Sequence, residues 1–371
     1  MPRHDLIVVG AGVVGLAHAL AAARRGKRVL VLDRDAQANG ASIRNFGFVT
    51  VTGQERGRVW DLASRSAAIW GEIAGPAGIA IEQRGLLLVA QRPEAEAVID
   101  AFLATEMGET CTRLGADQIA SGWPMVRGAR AGLLSRQDLR VDSPRAIPAL
   151  AQWLAAAHQV EFAYGVAVQV VETGRVHTAG GLYEADAVVV CPGDDWASLF
   201  PLSFAAAGVT RCKLQMLRLA PPGWRLQSPV MSDLSLVRYL GYAALPEAAA
   251  LRVRLEAEQA AALAQGVHLI AVQCADGSLV VGDSHDYAAT PDPFAEAATE
   301  DLILDSYRDV LGAPSKVLAR WTGTYASAAG HSFIDTPAPG VRLVVVTSGT
   351  GASTAFALAE DVMSDLLGAS A

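Results

Sequence analysis

The sequence predicts two interleaved units, an α/β unit built on a parallel sheet and an α+β unit built on an antiparallel one. Three observations carry that reading. A short apolar run, Asp5–Val9, leads into Gly10-Ala11-Gly12-Val13-Val14-Gly15 and then a helix. Two later apolar runs, within Tyr183–Pro192 and Val341–Thr347, end in small-residue loops in the same manner. Between them lie segments that read as antiparallel strands and as acidic, Ala-rich helices.

The elements follow in chain order. After the first strand, Val14–Arg25 reads as a helix, Gly26 ends it, and Arg28–Leu32 is a second strand closing on Asp33. This is a βαβ unit carrying G-x-G-x-x-G, followed by an acidic residue where a Rossmann-like unit needs one. Gly10 permits the tight turn, Gly12 lets backbone approach a pyrophosphate, and Gly15 lets helix and strand pack closely. The helix N-terminus offers free N–H groups to phosphates, and Asp33 would accept hydrogen bonds from ribose hydroxyls. Leu86–Ala90, Leu133–Leu134, Arg211–Leu219, Leu236–Gly241 and His268–Val281 read as strands of the second unit. Pro93–Met107, Pro246–Ala264 and Ala295–Leu311 read as its helices. Ala187–Cys191 is a buried strand entering the Pro192-Gly193 turn, and Ser348-Gly349-Thr350-Gly351-Ala352-Ser353-Thr354 opens the Ala355–Leu367 helix. That last loop is either a polar-ligand site or a plain strand–helix turn. The expected cofactor unit therefore comprises residues 1–85, 142–210 and 318–371, and the substrate unit 86–141 and 211–317.

Composition narrows the function. At 371 residues the chain is long enough for about two domains of roughly 150 residues. With 51% hydrophobic and 18% charged residues it is neither disordered nor fibrous. A net charge of −8 without a Lys/Arg run argues against nucleic acid or an anionic membrane as partner. Cys111, Cys191, Cys212 and Cys274 form no C-x-x-C pair, which argues against zinc, iron–sulfur and a disulfide framework and fits a reducing cytoplasm. Leu6–Ala23 is apolar behind Pro2-Arg3-His4, but Gly10, Gly12 and Gly15 interrupt it, so the chain is expected to be unprocessed, with no membrane span and no metal.

A single dinucleotide fingerprint, with no second one and no redox cysteine pair, implies that electrons come from the substrate itself if the dinucleotide is FAD. The fingerprint ending at Asp33, Gly40-Ala41-Ser42-Ile43-Arg44-Asn45-Phe46-Gly47, Val188–Gly193 and Ser348–Thr354 together resemble the D-amino-acid oxidase/glycine oxidase family of flavoproteins. The resemblance covers nearly the whole chain. It implies FAD as cofactor, held by Gly10, Gly12, Val13, Val14 and Gly15, by Asp33 with Arg34, and by the loop residues Ala41, Ser42, Arg44, Asn45, Phe46 and Gly47. It further implies Val168 near the adenine, then Cys191, Gly193 and Trp196. Gly349, Thr350, Gly351, Ser353 and Thr354 would lie under the flavin. The implied reaction is hydride transfer from an amine-bearing carbon to the flavin, with oxygen as acceptor.

The family pattern breaks at one place. Members acting on α-amino acids show Trp-x-Gly-x-Arg-Pro, whose Arg clamps the carboxylate; here the string is Trp321-Thr322-Gly323-Thr324-Tyr325-Ala326. A phenol cannot supply a bidentate fork. Arg44-Asn45-Phe46-Gly47, Lys213-Leu214-Gln215-Met216 and Gly282-Asp283-Ser284-His285-Asp286-Tyr287 resemble the family's phosphonate-associated branch. That resemblance implies 2-aminoethylphosphonate or its N-methyl form as substrate. The expected substrate-side residues are Arg44, Lys213, His285, Tyr325 and Tyr239, the last beside Arg238 on a strand. Each has a plainer alternative: Arg44 neutralising the diphosphate, Lys213 at a solvated edge, His285 in a strand-end capping network, Tyr325 filling volume, Tyr239 and Tyr242 as core aromatics. His331, His268 and His177 read as surface or turn residues, and Asp194-Asp195 as a helix N-cap.

The expectation is a cytoplasmic FAD-dependent amine oxidase. A glycine, sarcosine or D-amino-acid oxidase, a dehydrogenase using a quinone, a flavoprotein with structural FAD and a nicotinamide dehydrogenase stand as alternatives. Partners are a small amine and oxygen, and the sequence leaves the oligomeric state open.

Overall fold

The computed structural model describes residues 3–368; Pro2 and the outermost ends of the expected cofactor unit lie outside that range. The first sheet holds five parallel strands in the order Val341–Val346, Gly181–Val190, His4–Val9, Val29–Asp33, Glu161–Tyr164. Ser332–Asp335 runs antiparallel on the outer edge. Registers such as Val9↔Leu32 and Val9↔Val190 bring the C-terminal ends of the central strands level with one another. That edge is where an open α/β sheet presents a crevice to ligands.

Alternation along each strand sorts its side chains to two cores. Leu6, Val8, Val29 and Val31 pack with Leu16, Leu20, Leu150 and Phe356 on helices Val13–Ala23, Ser143–His158 and Gly351–Leu367. Ile7, Leu30, Leu32, Val188 and Val190 face Val171, Val176 and Phe204 on the other side. The first helix begins where Gly12 is extended and the Val13 N–H donates to Ser42 Oγ at 2.9 Å. Past its last turn, Gly26 takes φ +70°, which ends it.

The second sheet follows the order Asp286–Ala288, Thr210–Leu219, Leu279–Gly282, Ile270–Gln273, Val230–Met231, Ile81–Ala90, Ala131–Val141, Phe48–Val49. Val317–Ser327 lies along Thr210–Leu219, and Thr112–Gly115 along Ala131–Val141. All pairings are antiparallel except Val230–Met231 with Ile81–Ala90. The strand holding Tyr325 pairs throughout with Thr210–Leu219, so a boundary at 318 assigns it to the wrong sheet, and Ile81–Gly85 likewise belongs to the second.

Several expected elements differ. Leu236–Gly241, expected as a strand, forms a 3-10 turn at Asp233–Val237 and a short helix at Leu240–Ala243. The cause is close packing: Gly241 N–H donates to Gly53 O at 3.0 Å, and a Cβ there would sit 2.3 Å from Gln54 O. The stretch His268–Val281 is a hairpin, Ile270–Gln273 and Leu279–Gly282, turning at Gly277. The helix expected over Pro93–Met107 stops at Leu103, and Pro246–Ala264 breaks at Gln259 into Ala248–Glu258 and Ala260–Ala264. No helix among the described residues is long and apolar enough to cross a membrane.

Candidate active site

A cavity of about 680 Å³ runs from the C-terminal edge of the parallel sheet to the face of the second sheet. At the parallel-sheet end its wall is mostly backbone: Gly10, Gly12, Val13, Val14, Gly15, Cys191 and Gly193, with Asp33, Arg34 and Val168 at the tip. Gly10 and Gly15 are needed sterically. A Cβ at Gly15 would stand 1.8 Å from Gly10 O, and one at Gly10 2.4 Å from Cys191 O. Asp33 Oδ2 accepts the Ala11 N–H at 2.6 Å and Oδ1 accepts the Asp35 N–H at 2.9 Å, which fixes the carboxylate at the strand end. Carboxylate oxygens so placed keep lone pairs for a sugar hydroxyl.

The middle of the cavity is walled by Ala41, Ser42, Arg44, Asn45 and Phe46 on one side and Gly349, Thr350, Gly351 and Ser353 on the other. Asn45 is locked: its Nδ2 donates to Ala41 O at 2.6 Å, while its Oδ1 accepts the Gly47 N–H at 2.6 Å and the Ser143 hydroxyl at 3.0 Å. Arg44 rests its backbone on the Tyr325 strand, where Gly323 leaves room for it and Trp321 Nε1 donates to Arg44 O at 3.2 Å. Two helices, Val13–Ala23 and Gly351–Leu367, begin at this cavity with first-turn N–H groups that no intrahelical carbonyl can satisfy. An elongated wall with two helix N-termini, glycines pressed against backbone and an acidic tip fits a dinucleotide.

The far end is made of side chains: Arg238, Tyr239, His268, Asp283, His285, Tyr287 and Tyr325 all line it. Arg238 Nη2 donates to Tyr287 Oη at 3.1 Å. Tyr325 lies over the C-terminal loop, 3.0 Å from where a Gly349 Cβ would be. Burial pushes the Tyr239 and Tyr325 phenols far above their ordinary range, so both keep their O–H protons. Asp283 is buried with its Oδ1 3.4 Å from His268 Nε2 and its Oδ2 3.8 Å from His285 Nε2. Burial raises its carboxyl to about 7, against the opposing pull of Arg238. Burial, reinforced by Arg238, holds both imidazoles well below their ordinary range.

Four expected residues are not on this wall. Lys213 points away: its neighbour Leu214 faces the cavity, and strand alternation turns Lys213 Nζ toward Asp286 Oδ2 at 3.5 Å and Phe294 O at 3.4 Å. Trp196 stacks beneath Arg211, whose guanidinium carbon is 4.1 Å from the ring centre. Gly47, at φ +69°, passes against Val141 O, and Thr354 Oγ1 bonds His331 Nε2 at 2.8 Å. His268 and His331 are corrections in the other direction. Both line the cavity, and burial lowers His331 to about 4. His177 is an edge residue paired with Glu172. Asp194 and Asp195 cap no helix: Asp194 holds Arg211, while Asp195 holds Arg34 and the turn at Ala197 and Ser198. Tyr239 lines the cavity, and Tyr242 is core.

A hairpin register could have found His268. Ile270 lies opposite Gly282, which sets His268 and Asp283 at the same end of two neighbouring strands.

Comparison with known proteins agrees with this geometry. The family model described as FAD dependent oxidoreductase (DAO) matches residues 5–365. The fold is similar to glycine oxidase from Bacillus cereus ATCC 14579, with TM-score 0.78 and 17% identity over 99% of this chain and 95% of that one. It is also similar to glycine oxidase from Geobacillus kaustophilus (TM-score 0.76, 19% identity, 99% and 95% covered). A dithionite-reduced L-alpha-glycerophosphate oxidase from Mycoplasma pneumoniae with FAD bound gives TM-score 0.77 at 14% identity, with 99% and 95% covered. No curated protein matches the sequence. At these identities the likeness is one of fold.

Proposed function

The chain belongs to the FAD dependent oxidoreductase family, and from that premise we propose that it oxidises a small phosphonate-bearing amine, 2-aminoethylphosphonate or its N-methyl form. The observation that carries the reading is the composition of the far end of the cavity. Its strand Val317–Ser327 offers the neutral phenol of Tyr325, while Arg238 supplies positive charge from a different segment and the phenols of Tyr239 and Tyr287 stand around it. A tetrahedral phosphonate, with three oxygens splayed around phosphorus, is better matched by convergent single donors than by one planar fork. Arg44, on the wall between the two ends, adds a second cation within the same cavity.

The backbone of Gly12–Gly15 and Gly349–Gly351, with Ser42 and Asn45, would hold the diphosphate and flavin, while Asp33, Arg34 and Val168 would hold the adenosine. When bound, FAD supplies the two-electron acceptor: a hydride leaves the amine-bearing carbon, water converts the imine to phosphonoacetaldehyde plus ammonia or methylamine, and oxygen takes up two electrons and two protons as hydrogen peroxide. The protein's own task is placement. Arg238 and the phenols anchor the anionic end, which leaves the amine-bearing carbon at a fixed distance from that anchor. A cytoplasmic location accompanies this reading.

The test is oxygen consumption and peroxide release with 2-aminoethylphosphonate, N-methyl-2-aminoethylphosphonate, glycine, sarcosine and D-alanine. The phosphonates are expected to turn over fastest; faster turnover of sarcosine or D-alanine overturns the assignment. The second reading is a glycine, sarcosine or D-amino-acid oxidase, or a dehydrogenase serving a quinone. Arg238 favours it, because a single guanidinium also suits a carboxylate. Flavin reduction by substrate without oxygen uptake, relieved by a soluble quinone, identifies the dehydrogenase form.

A further inference from the structure

We propose that Asp283, with His285 and His268, receives the substrate's ammonium group and removes one of its protons, so that the amine is neutral when the hydride leaves. This inference rests on the amine reading above and adds to it a base, at a residue that nothing in the fold class requires.

The cluster is built by two elements. The hairpin register Ile270↔Gly282 brings His268 beside Asp283, and two residues on, the His285 ring stacks on His268 with centroids 5.5 Å apart. One atom from each of the three groups lies within 4.8 Å of the others, and their side chains are 4%, 8% and 7% exposed.

Proton positions make the cluster unusual. His285 Nδ1 is 3.0 Å from Gly266 O. A carbonyl can only accept, so the proton sits on Nδ1 and Nε2 turns a bare lone pair toward Asp283. His268 Nδ1 is engaged 3.1 Å from the Ser235 hydroxyl. Asp283 Oδ1 has no hydrogen-bond partner although it is buried. With Asp283 ionised, its Oδ2 and His285 Nε2 are two acceptors 3.8 Å apart with no proton between them, on the wall of the cavity. An alkylammonium group supplies what is missing, positive charge and two or three N–H donors on one atom.

The surroundings suit transfer as well as binding. Arg238 and Tyr239 face Asp283 from the turn after Val237 and Cys212 from the long strand Thr210–Leu219, while Tyr287 and Tyr325 line the same end of the cavity. Asp286 is occupied on the opposite face with Lys213. An alkylammonium ordinarily holds its proton to about pH 10, but burial and the Arg238 charge lower that value, while burial raises Asp283 to about 7. The two affinities approach each other. The step is R–NH3⁺ + Asp283–COO⁻ → R–NH2 + Asp283–COOH, with the proton returned to water after product leaves.

The test is anaerobic bleaching of the flavin in FAD-loaded enzyme by 2-aminoethylphosphonate between pH 6 and 10. Wild-type enzyme is expected to bleach with a rate that rises along an ionisation near neutrality. Asp283→Asn should bleach about 100-fold more slowly at pH 7 and recover toward pH 10, where the free amine exists without a base. Asp283→Glu, which keeps a carboxylate, should keep the wild-type profile. If Asp283→Asn fails to retain FAD, His285→Gln reads the same proton by moving the wild-type midpoint. An Asp283→Asn enzyme with full FAD and an unchanged rate and profile overturns the inference while leaving the amine reading intact. One equivalent of a divalent transition metal in the purified wild-type enzyme, lost in Asp283→Asn, overturns it too. If none of the five amines bleaches wild-type enzyme, the amine reading falls and this inference with it.

Discussion

The two ends of the cavity are built on different principles. At the parallel-sheet end the wall is backbone: glycines, helix N-termini and one carboxylate, drawn largely from the first 47 residues and the 349–353 loop. At the second-sheet end it is side chains, delivered singly by the Arg238–Tyr239 turn, the hairpin after His268, the 283–287 segment and the Tyr325 strand. A backbone wall recognises what every dinucleotide shares, and at Gly10 and Gly15 it has no room for an added carbon. A side-chain wall can exchange one residue and change what it accepts without disturbing the fold.

The contrast predicts where a single methyl group is ruinous. Gly15→Ala puts a carbon 1.8 Å from Gly10 O, and neither backbone segment can retreat without opening the first strand–helix packing. The expected outcome is purified protein without flavin absorbance and with stability lowered by about 1–3 kcal/mol or more, measured by denaturant unfolding. Retained stoichiometric FAD would show that the backbone end is as forgiving as the other.

Arg238→Ala should strike the second-sheet end alone. Removing a guanidinium from a partly desolvated anion site costs about 2–5 kcal/mol in binding, so KM for 2-aminoethylphosphonate should rise about 30-fold or more while FAD content is unchanged. Arg238→Lys should recover only part of this, because it keeps charge but loses the planar donors that reach Tyr287. A drop in FAD content with either variant would mean that the two ends are not separable.

The same division decides what could be seen in the amino-acid sequence. Gly10, Gly12, Gly15 and Asp33 stand within one βαβ unit, so their spacing alone reports their arrangement, and the structure places all four on the wall. His268 and Asp283 come together only through a hairpin register, which is signalled at Asp276-Gly277 rather than at His268 itself. Leu236–Gly241 is apolar enough for a strand, yet Gly241 must fit against Gln54 O, nearly 190 residues earlier, and that contact bends the chain into two helical turns. Local pattern reports local geometry, and long-range packing is where it fails.

Asp283 also gives the second-sheet end a pH signature in stability that the backbone end lacks. Its folded value of about 7 lies above the ordinary 3.8, so between those values the folded protein holds a proton that the unfolded chain releases. Stability contributed by that proton is present below about pH 4, declines as pH rises, and is gone above about 7. Substrate-free Asp283→Asn, which cannot ionise, should therefore be more stable than wild type by at least about 2 kcal/mol at pH 8, and the gap should close by pH 4. Parallel curves for the two proteins from pH 4 to 8 would show that the carboxyl is not held up by burial.

The smallest expected effect is the one that best separates wall from scaffold. Lys213 is charged, buried and on the strand that passes the cavity, so by type and position it looks like a substrate ligand. Orientation says otherwise. Successive side chains on a strand point to opposite faces, Leu214 faces the cavity, and Lys213 reaches Asp286 and the Phe294 carbonyl behind the sheet. Lys213→Met keeps the stem's volume and removes the charge. Asp286 is solvent-exposed and can hydrate, so no buried charge is left alone and the cost to stability should stay near 1 kcal/mol. The steady-state kcat/KM for 2-aminoethylphosphonate should remain within about threefold of wild type, against the 30-fold or larger effect at Arg238. A loss at Lys213 matching that at Arg238 would mean that anionic substrate is gripped through the sheet rather than by the wall that faces it, and the division between the two ends would have to be redrawn along the strand itself.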